Sequence, residues 1–116
     1  MDEVGGRSVE HRLATYGTLA PGEPNEHVLA GVSGTWMPGV IRGHLEARGW
    51  GAASGHAGIV LDEAGPEVGV HVLTSADLPD HWQRLDDFEG DEYVRVPASV
   101  RTDIGVVTAY VYALAP

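Results

Sequence analysis

One stretch of this sequence gathers ionisable groups where they cost stability: Asp86-Asp87-Phe88-Glu89-Gly90-Asp91-Glu92. A carboxylate set among other carboxylates has its charged form disfavoured, and its pKa rises further when it is buried. A glutamate tuned upward in this way both takes and returns a proton near neutral pH, which is the work of a general acid/base. Glu89, beside an aromatic residue and followed by a glycine that opens the chain, is the candidate for that role. Two other readings stand beside it. The segment could be a solvated acidic loop. Asp86, Asp87, Glu89, Asp91 and Glu92 could also hold a hard cation such as Mg or Ca, although the glycine is misplaced for an EF-hand loop.

The element that must position Glu89 is a short amphipathic helix predicted over Asp77–Phe88. Leu78, Trp82, Leu85 and Phe88 recur at helical spacing, Ser75 or Asp77 can cap the start, and Pro79 fits a first turn. Gly90 is a natural stop. Asp86, Asp87 and Glu89 then occupy the last turn, at the negative end of the helix dipole, where cations are preferred.

A second segment, Tyr16-Gly17-Thr18-Leu19, ends a predicted strand in a glycine turn. Consecutive backbone N–H groups in such a turn form an anion-binding concavity, suited to a carboxylate or a developing oxyanion. Taken alone, a strand followed by a glycine turn is equally a plain connection.

Composition narrows the classes. The 116 residues fit one domain, and 43% hydrophobic content fits a folded one. A net charge of −10 argues against nucleic acid and against anionic membranes as partners. There is no cysteine, so disulfides, thiolate zinc sites and cysteine nucleophiles are excluded. All seven basic residues are arginine, which leaves no residue for Schiff-base chemistry or a Walker-type phosphate loop. The six histidines lack ligand spacing, and no metal or cofactor is implied. No apolar stretch approaches the length of a membrane span, and Met1–Glu10 lacks the apolar core of a signal peptide, so a soluble cytoplasmic protein is expected. Trp36 and Trp50 read as core or loop anchors, and Arg95 as a partner for the acidic segment.

Along the chain, strands are predicted over Arg12–Tyr16, near Gly58–Asp62, and over Val68–Thr74, Tyr93–Thr102 and Val106–Leu114. Ser33–Ala47 should give two short strands or one bent strand, because Pro38-Gly39 interrupts it. A short helix is expected from Asn25 to Leu29, and a loop from Arg48 to Gly58. Val94, Val96, Ala98 and Val100 should share one face. Six or so strands with one main helix make an α+β fold, and many short strands with glycines favour a sheet curled into a partly closed barrel. Residues 1–10 are expected to be a mobile N-terminal segment and 11–116 a single domain.

The two end segments in combination, Tyr16-Gly17-Thr18-Leu19 with Gly22 and Asn25, and Leu85-Asp86-Asp87-Phe88-Glu89-Gly90 with Tyr93 and Arg95, resemble the gamma-glutamyl cyclotransferase-like family, also known through AIG2-like members. Pro38–Leu45, Gly58–Val60 and Ala109–Tyr112 are similar to its middle and closing strands, so the resemblance runs from about Leu13 to Leu114. It implies a mixed, mainly antiparallel sheet curled into a barrel around a pocket. It also implies that Glu89 is the catalytic acid/base, that Tyr16, Gly17, Thr18 and Leu19 hold substrate, and that Tyr93 lines the same pocket. Ala20 and Val70 depart from the family's usual residues, basic and glycine respectively, and bear on substrate identity.

The implied chemistry suits a chain without nucleophiles. A gamma-glutamyl amide carries its own, because its α-amine can attack the γ-carbonyl and close a five-membered ring. The expected products are 5-oxoproline and a free amine or amino acid. A non-catalytic module binding a small ligand in the same pocket is the alternative.

Overall fold

The computed structural model describes residues 8–16, 26–46 and 58–115. Within them lie β1 (Arg12–Thr15), β2 (Thr35–Glu46), β3 (Gly58–Leu61), β4 (Glu67–Thr74), α1 (Trp82–Glu89), β5 (Tyr93–Thr102) and β6 (Gly105–Leu114). Short 3₁₀ turns cover Val9–His11, Glu26–Leu29 and Leu78–Asp80.

The strands make one six-stranded sheet that closes on itself. β1 pairs with β4, β4 with β2, β2 with β5, β5 with β6, and β6 returns to β1. Only the β1–β6 and β3–β6 contacts are parallel, so the sheet is mixed and mainly antiparallel as expected. β3 and β4 pair with successive stretches of β2, Gly43–Glu46 and Thr35–Arg42, with the turn at 62–66 bulging between them. Closure removes most of the exposed edge that an open sheet of this length would carry.

Period-2 alternation sorts the side chains into two layers. Ala14, Ile41, Ile59, Val72, Val100, Val107, Ala109 and Val111 fill the barrel. Leu13, Leu73 and Tyr112, on the opposite face of the same strands, pack with Leu29, Leu78, Trp82 and Leu85 in a second cluster. This second layer seats α1 on the outside of the barrel. A helix of eight residues has little stability of its own, so this packing holds it.

Several expectations need correction. The helix does not run from Asp77. Pro79 does sit in a first turn, but that turn, Leu78–Asp80, is a 3₁₀ turn of its own that ends at His81 before α1 begins. Asp77 makes no side-chain cap; its carboxylate accepts the Ser33 N–H at 3.0 Å, while Ser75 Oγ accepts the Asp77 N–H at 3.0 Å. Of the two forms expected for Ser33–Ala47, the chain takes the single strand, β2, running through Pro38-Gly39, where β5 pairs with it. A Cβ at Gly39 would stand 2.6 Å from a Val100 methyl, so the glycine permits the approach. Val96, Ala98 and Val100 face the barrel, but Val94 is exposed. Trp36 is exposed, and Trp50 lies outside the described residues. The loop expected at Arg48–Gly58 also falls almost wholly outside them. The Glu10 carbonyl accepts a hydrogen bond from Trp82 Nε1 at 3.0 Å.

Candidate active site

Glu89 closes α1, and it closes the buried stripe too. Leu78, Trp82, Leu85 and Glu89 follow one another at intervals of four, three and four, and all four are buried. The predicted last member of that stripe, Phe88, is only partly buried. Gly90 then turns the chain with φ 81° and ψ −174°, a region open essentially to glycine alone, and its N–H bonds the Asp86 carbonyl at 3.1 Å. The helix therefore stops one residue after its carboxylate has been delivered inside.

That carboxylate is 8% exposed, and among the described residues it has no hydrogen-bond or ion-pair partner. Burial alone raises its pKa from 4.5 to about 7. The expected contribution of the neighbouring acids is absent, for a visible reason. Arg95 Nε and a second guanidinium nitrogen donate to the two oxygens of Asp86 at 2.9 and 3.3 Å. The Tyr112 hydroxyl adds a third bond at 2.7 Å. Burial disfavours the charged form of Asp86, but the bonds from Arg95 and Tyr112 outweigh it and its pKa falls below the ordinary value. Asp87 faces solvent and accepts from Gln83 at 3.1 Å, while Asp91 and Glu92 are exposed. The acidic segment thus splits into one buried acid, one paired carboxylate and a solvated remainder. Among the described residues no group of three or more acidic or histidine side chains is set to hold a metal ion.

Tyr16, about 70 positions earlier, comes to the same place. Burial pushes its hydroxyl pKa up, the Ile59 N–H bond opposes this, and the nearby Tyr93 and Glu89 reinforce it. Tyr16, Tyr93 and Glu89 therefore lie within electrostatic reach of one another. The Tyr16 hydroxyl donates to the Tyr112 carbonyl at 2.6 Å and accepts the Ile59 N–H at 3.0 Å, so its proton is committed to the fold. Tyr93 is half-buried at the start of β5. Gly17, Thr18 and Leu19 lie outside the described residues.

Sequence reasoning did not single out Tyr112. It touches Asp86 through its hydroxyl and Tyr16 through its carbonyl, and Glu89 is among the charges raising its pKa, after burial and Asp86. Its signal was the alternation of β6, whose odd positions Val107 to Ala113 enter the barrel and leave Tyr110 and Tyr112 facing α1. Arg95 was read as a partner of the acidic segment, and that is where it lies.

Among the described residues two open clefts stand out. One, of about 610 Å³, lies beside the end of α1, with Asp86, Gly90, Tyr93, Arg95 and Tyr112 in its wall. Glu89 does not line it. The other, of about 440 Å³, lies between β2, the end of β3 and β5, where Arg42 and Arg101 are both paired with Glu67. Neither offers a buried titratable group comparable to Glu89. No helix among the described residues is long and apolar enough to cross a membrane.

Solved structures share this architecture. YkqA from Bacillus subtilis is 27% identical, with a TM-score of 0.69 over 90% of this chain and 35% of that one, so the present chain spans about a third of it. An AIG2-like protein from Mus musculus is 22% identical with a TM-score of 0.71, over 90% of this chain and 77% of that one. At3g28950.1 from Arabidopsis thaliana is 22% identical with a TM-score of 0.65, over 90% and 61% respectively. At 22% identity the last two speak for the fold alone. No functionally curated protein matches the chain. The family model described as gamma-glutamyl cyclotransferase, AIG2-like, matches residues 13–116, nearly the whole sequence, and the chain belongs to that family.

Proposed function

We propose that this chain is an enzyme that releases 5-oxoproline from a gamma-glutamyl amine or gamma-glutamyl peptide, with Glu89 as the general acid/base. The observation that carries the reading is a carboxyl group buried at a helix end, without a partner among the described residues, whose pKa of about 7 suits both directions of proton transfer. Family membership supports the reaction class.

In the first step the Glu89 carboxylate takes a proton from the substrate's α-ammonium. The freed amine attacks the γ-carbonyl carbon, forming the ring C–N bond and a tetrahedral oxyanion. Backbone N–H groups of Gly17, Thr18 and Leu19 are the proposed donors to substrate or oxyanion, with Tyr16 and Tyr93 lining the pocket. The amide C–N bond then breaks as Glu89 returns its proton to the departing amine, and the extra proton on the ring nitrogen passes to that amine, which leaves as an ammonium. Atoms balance without a metal, a cofactor or an enzyme nucleophile, because ring closure supplies its own effective molarity.

The test is a screen of gamma-glutamyl amines and dipeptides for 5-oxoproline release, with Glu89→Gln as the control. The variant is expected to retain ligand binding and lose about 10²–10⁴ in rate, the usual contribution of a positioned proton shuttle. A Gln variant turning over at the wild-type rate would remove Glu89 from this role. Binding without turnover by the wild-type protein would leave a small-ligand-binding module in the same pocket.

A further inference from the structure

Asp86 and Glu89 stand three residues apart on the last turn of α1 and are neighbours on its surface. Two carboxylates so placed repel, and the negative end of the helix disfavours both charges. Here one is paired with an arginine and the other is buried. Arg95 reaches from β5 and grips both oxygens of Asp86. Its guanidinium carbon also lies 4.5 Å from the centroids of both the Trp82 and Tyr110 rings, which meet edge to face 5.3 Å apart. A guanidinium fixed by a two-point fork and two aromatic faces has little freedom left. Trp82 is in turn tied to the Glu10 carbonyl.

We propose that Arg95 is a positioning and charge-screening residue for Glu89: by neutralising and immobilising Asp86, it keeps the second carboxylate of the turn from setting the first one's protonation, and it braces the turn that carries Glu89. The elements packed here bring Tyr16 from just past β1, Tyr93 and Arg95 from β5, and Tyr112 from β6, with Asp86 on the helix itself. Of these, Asp86 and Arg95 are the groups charged at neutral pH. Removing either one leaves the other as an uncompensated charge beside Glu89, and the two removals act with opposite sign. Any consequence for turnover rests on the reading of Glu89 as the acid/base.

The experiment is an NMR titration of Glu89 in ¹³C-glutamate-labelled protein, which needs no substrate. Arg95→Gln strands a negative charge, so the Glu89 midpoint should rise by about half a pH unit or more. Asp86→Asn strands a positive charge and should lower the midpoint by a similar amount. The double variant should return to the wild-type midpoint, and Arg95→Lys, which keeps the charge without the fork, should stay close to it. A merely structural brace would not move the two single variants in opposite directions. An unmoved midpoint in both, or shifts of the same sign, overturns the proposal. If Arg95→Gln does not fold, the nearly isosteric Asp86→Asn decides alone: a lowered midpoint supports the screen and an unchanged one overturns it. The acid limb of kcat/KM on a gamma-glutamyl substrate should follow the same order. Absence of wild-type turnover would count against the enzyme reading, while the titration still judges the screen.

Discussion

The hydroxyl of Tyr16 joins two strands that barely pair with each other: it accepts from Ile59 of β3 at 3.0 Å and donates to the carbonyl of Tyr112 in β6 at 2.6 Å. The β3–β6 ladder itself records a single residue pair, Ile59 with Ala113. One side chain therefore supplies a seam that the backbone leaves open.

Tyr16→Phe should weaken that seam and leave the Ile59 N–H and the Tyr112 carbonyl without their partner. A loss of about 2–3 kcal/mol is expected, since each stranded buried polar group costs about 1–3 kcal/mol. Tyr112→Phe keeps the carbonyl and removes only one of the three bonds to Asp86, so it should cost less. Urea unfolding of the two variants checks the order. Equal losses would place the strain elsewhere.

The protonation of Glu89 is linked to stability. Its folded pKa of about 7 lies above the ordinary 4.5, so the folded state holds the proton where the unfolded chain releases it. Stability from this group is therefore fully present below about pH 4.5 and falls as pH rises toward 7. Beyond that the penalty is constant, at most about 3 kcal/mol. Glu89→Gln removes the penalty, so the variant should match wild type in thermal melts at pH 4.5 and exceed it at pH 8. An advantage independent of pH would contradict the assignment.

Gly90→Ala tests the backbone alone. Nothing lies within 4 Å of the Cβ that would be added, yet φ 81° with ψ −174° is a conformation that alanine resists. A loss of about 1–3 kcal/mol is expected from strain. Relief of that strain should move the last turn of α1, so 5-oxoproline release should fall by more than the stability loss explains. Melting temperature and single-turnover rate, measured on the same preparation, check this.

Truncating the anchor of the helix should have a larger effect. Leu85 is fully buried between α1 and the barrel, and Leu85→Ala is expected to cost about 2–5 kcal/mol through lost burial and a residual cavity. Amide hydrogen exchange should then show α1 opening before the β5–β6 hairpin. Simultaneous opening would mean that helix and barrel form one cooperative unit.

Local periodicity made much of this fold legible. β5 begins and ends at the predicted residues, because its alternation is clean and turn residues bound it on both sides. Hydrophobic spacing likewise placed Trp82 and Leu85 on the buried face of α1. What local pattern could not show was which glycine or proline the sheet absorbs. Pro38-Gly39 left one strand or two open, and β2 passes through it, with Gly39 meeting Val100 across the barrel. The charge of Glu89 had a similar effect: a glutamate is not counted in an apolar stripe, so Phe88 took its place in the pattern. Of the expected causes of its raised pKa, burial holds, while crowding by Asp86 drops out because Arg95 arrives from β5, nine residues on, and pairs with Asp86.

The ring of strands also has a timetable. β6 touches β1, β3 and β5, more partners than β1 or β3 has, and it is the last of the six to be synthesised. β1 is the first, and Leu13 waits 97 positions for Tyr110. Until then the barrel stays open, and Ala14, Ile59 and Val100 have no common interior to enter. Contacts so distant in sequence make for slow closure, and the nascent chain carries its unpaired edges throughout. The acid at the end of α1 is made before β6, whose Tyr112 lies within electrostatic reach of it, so Glu89 waits for that neighbour until the last strand is in place.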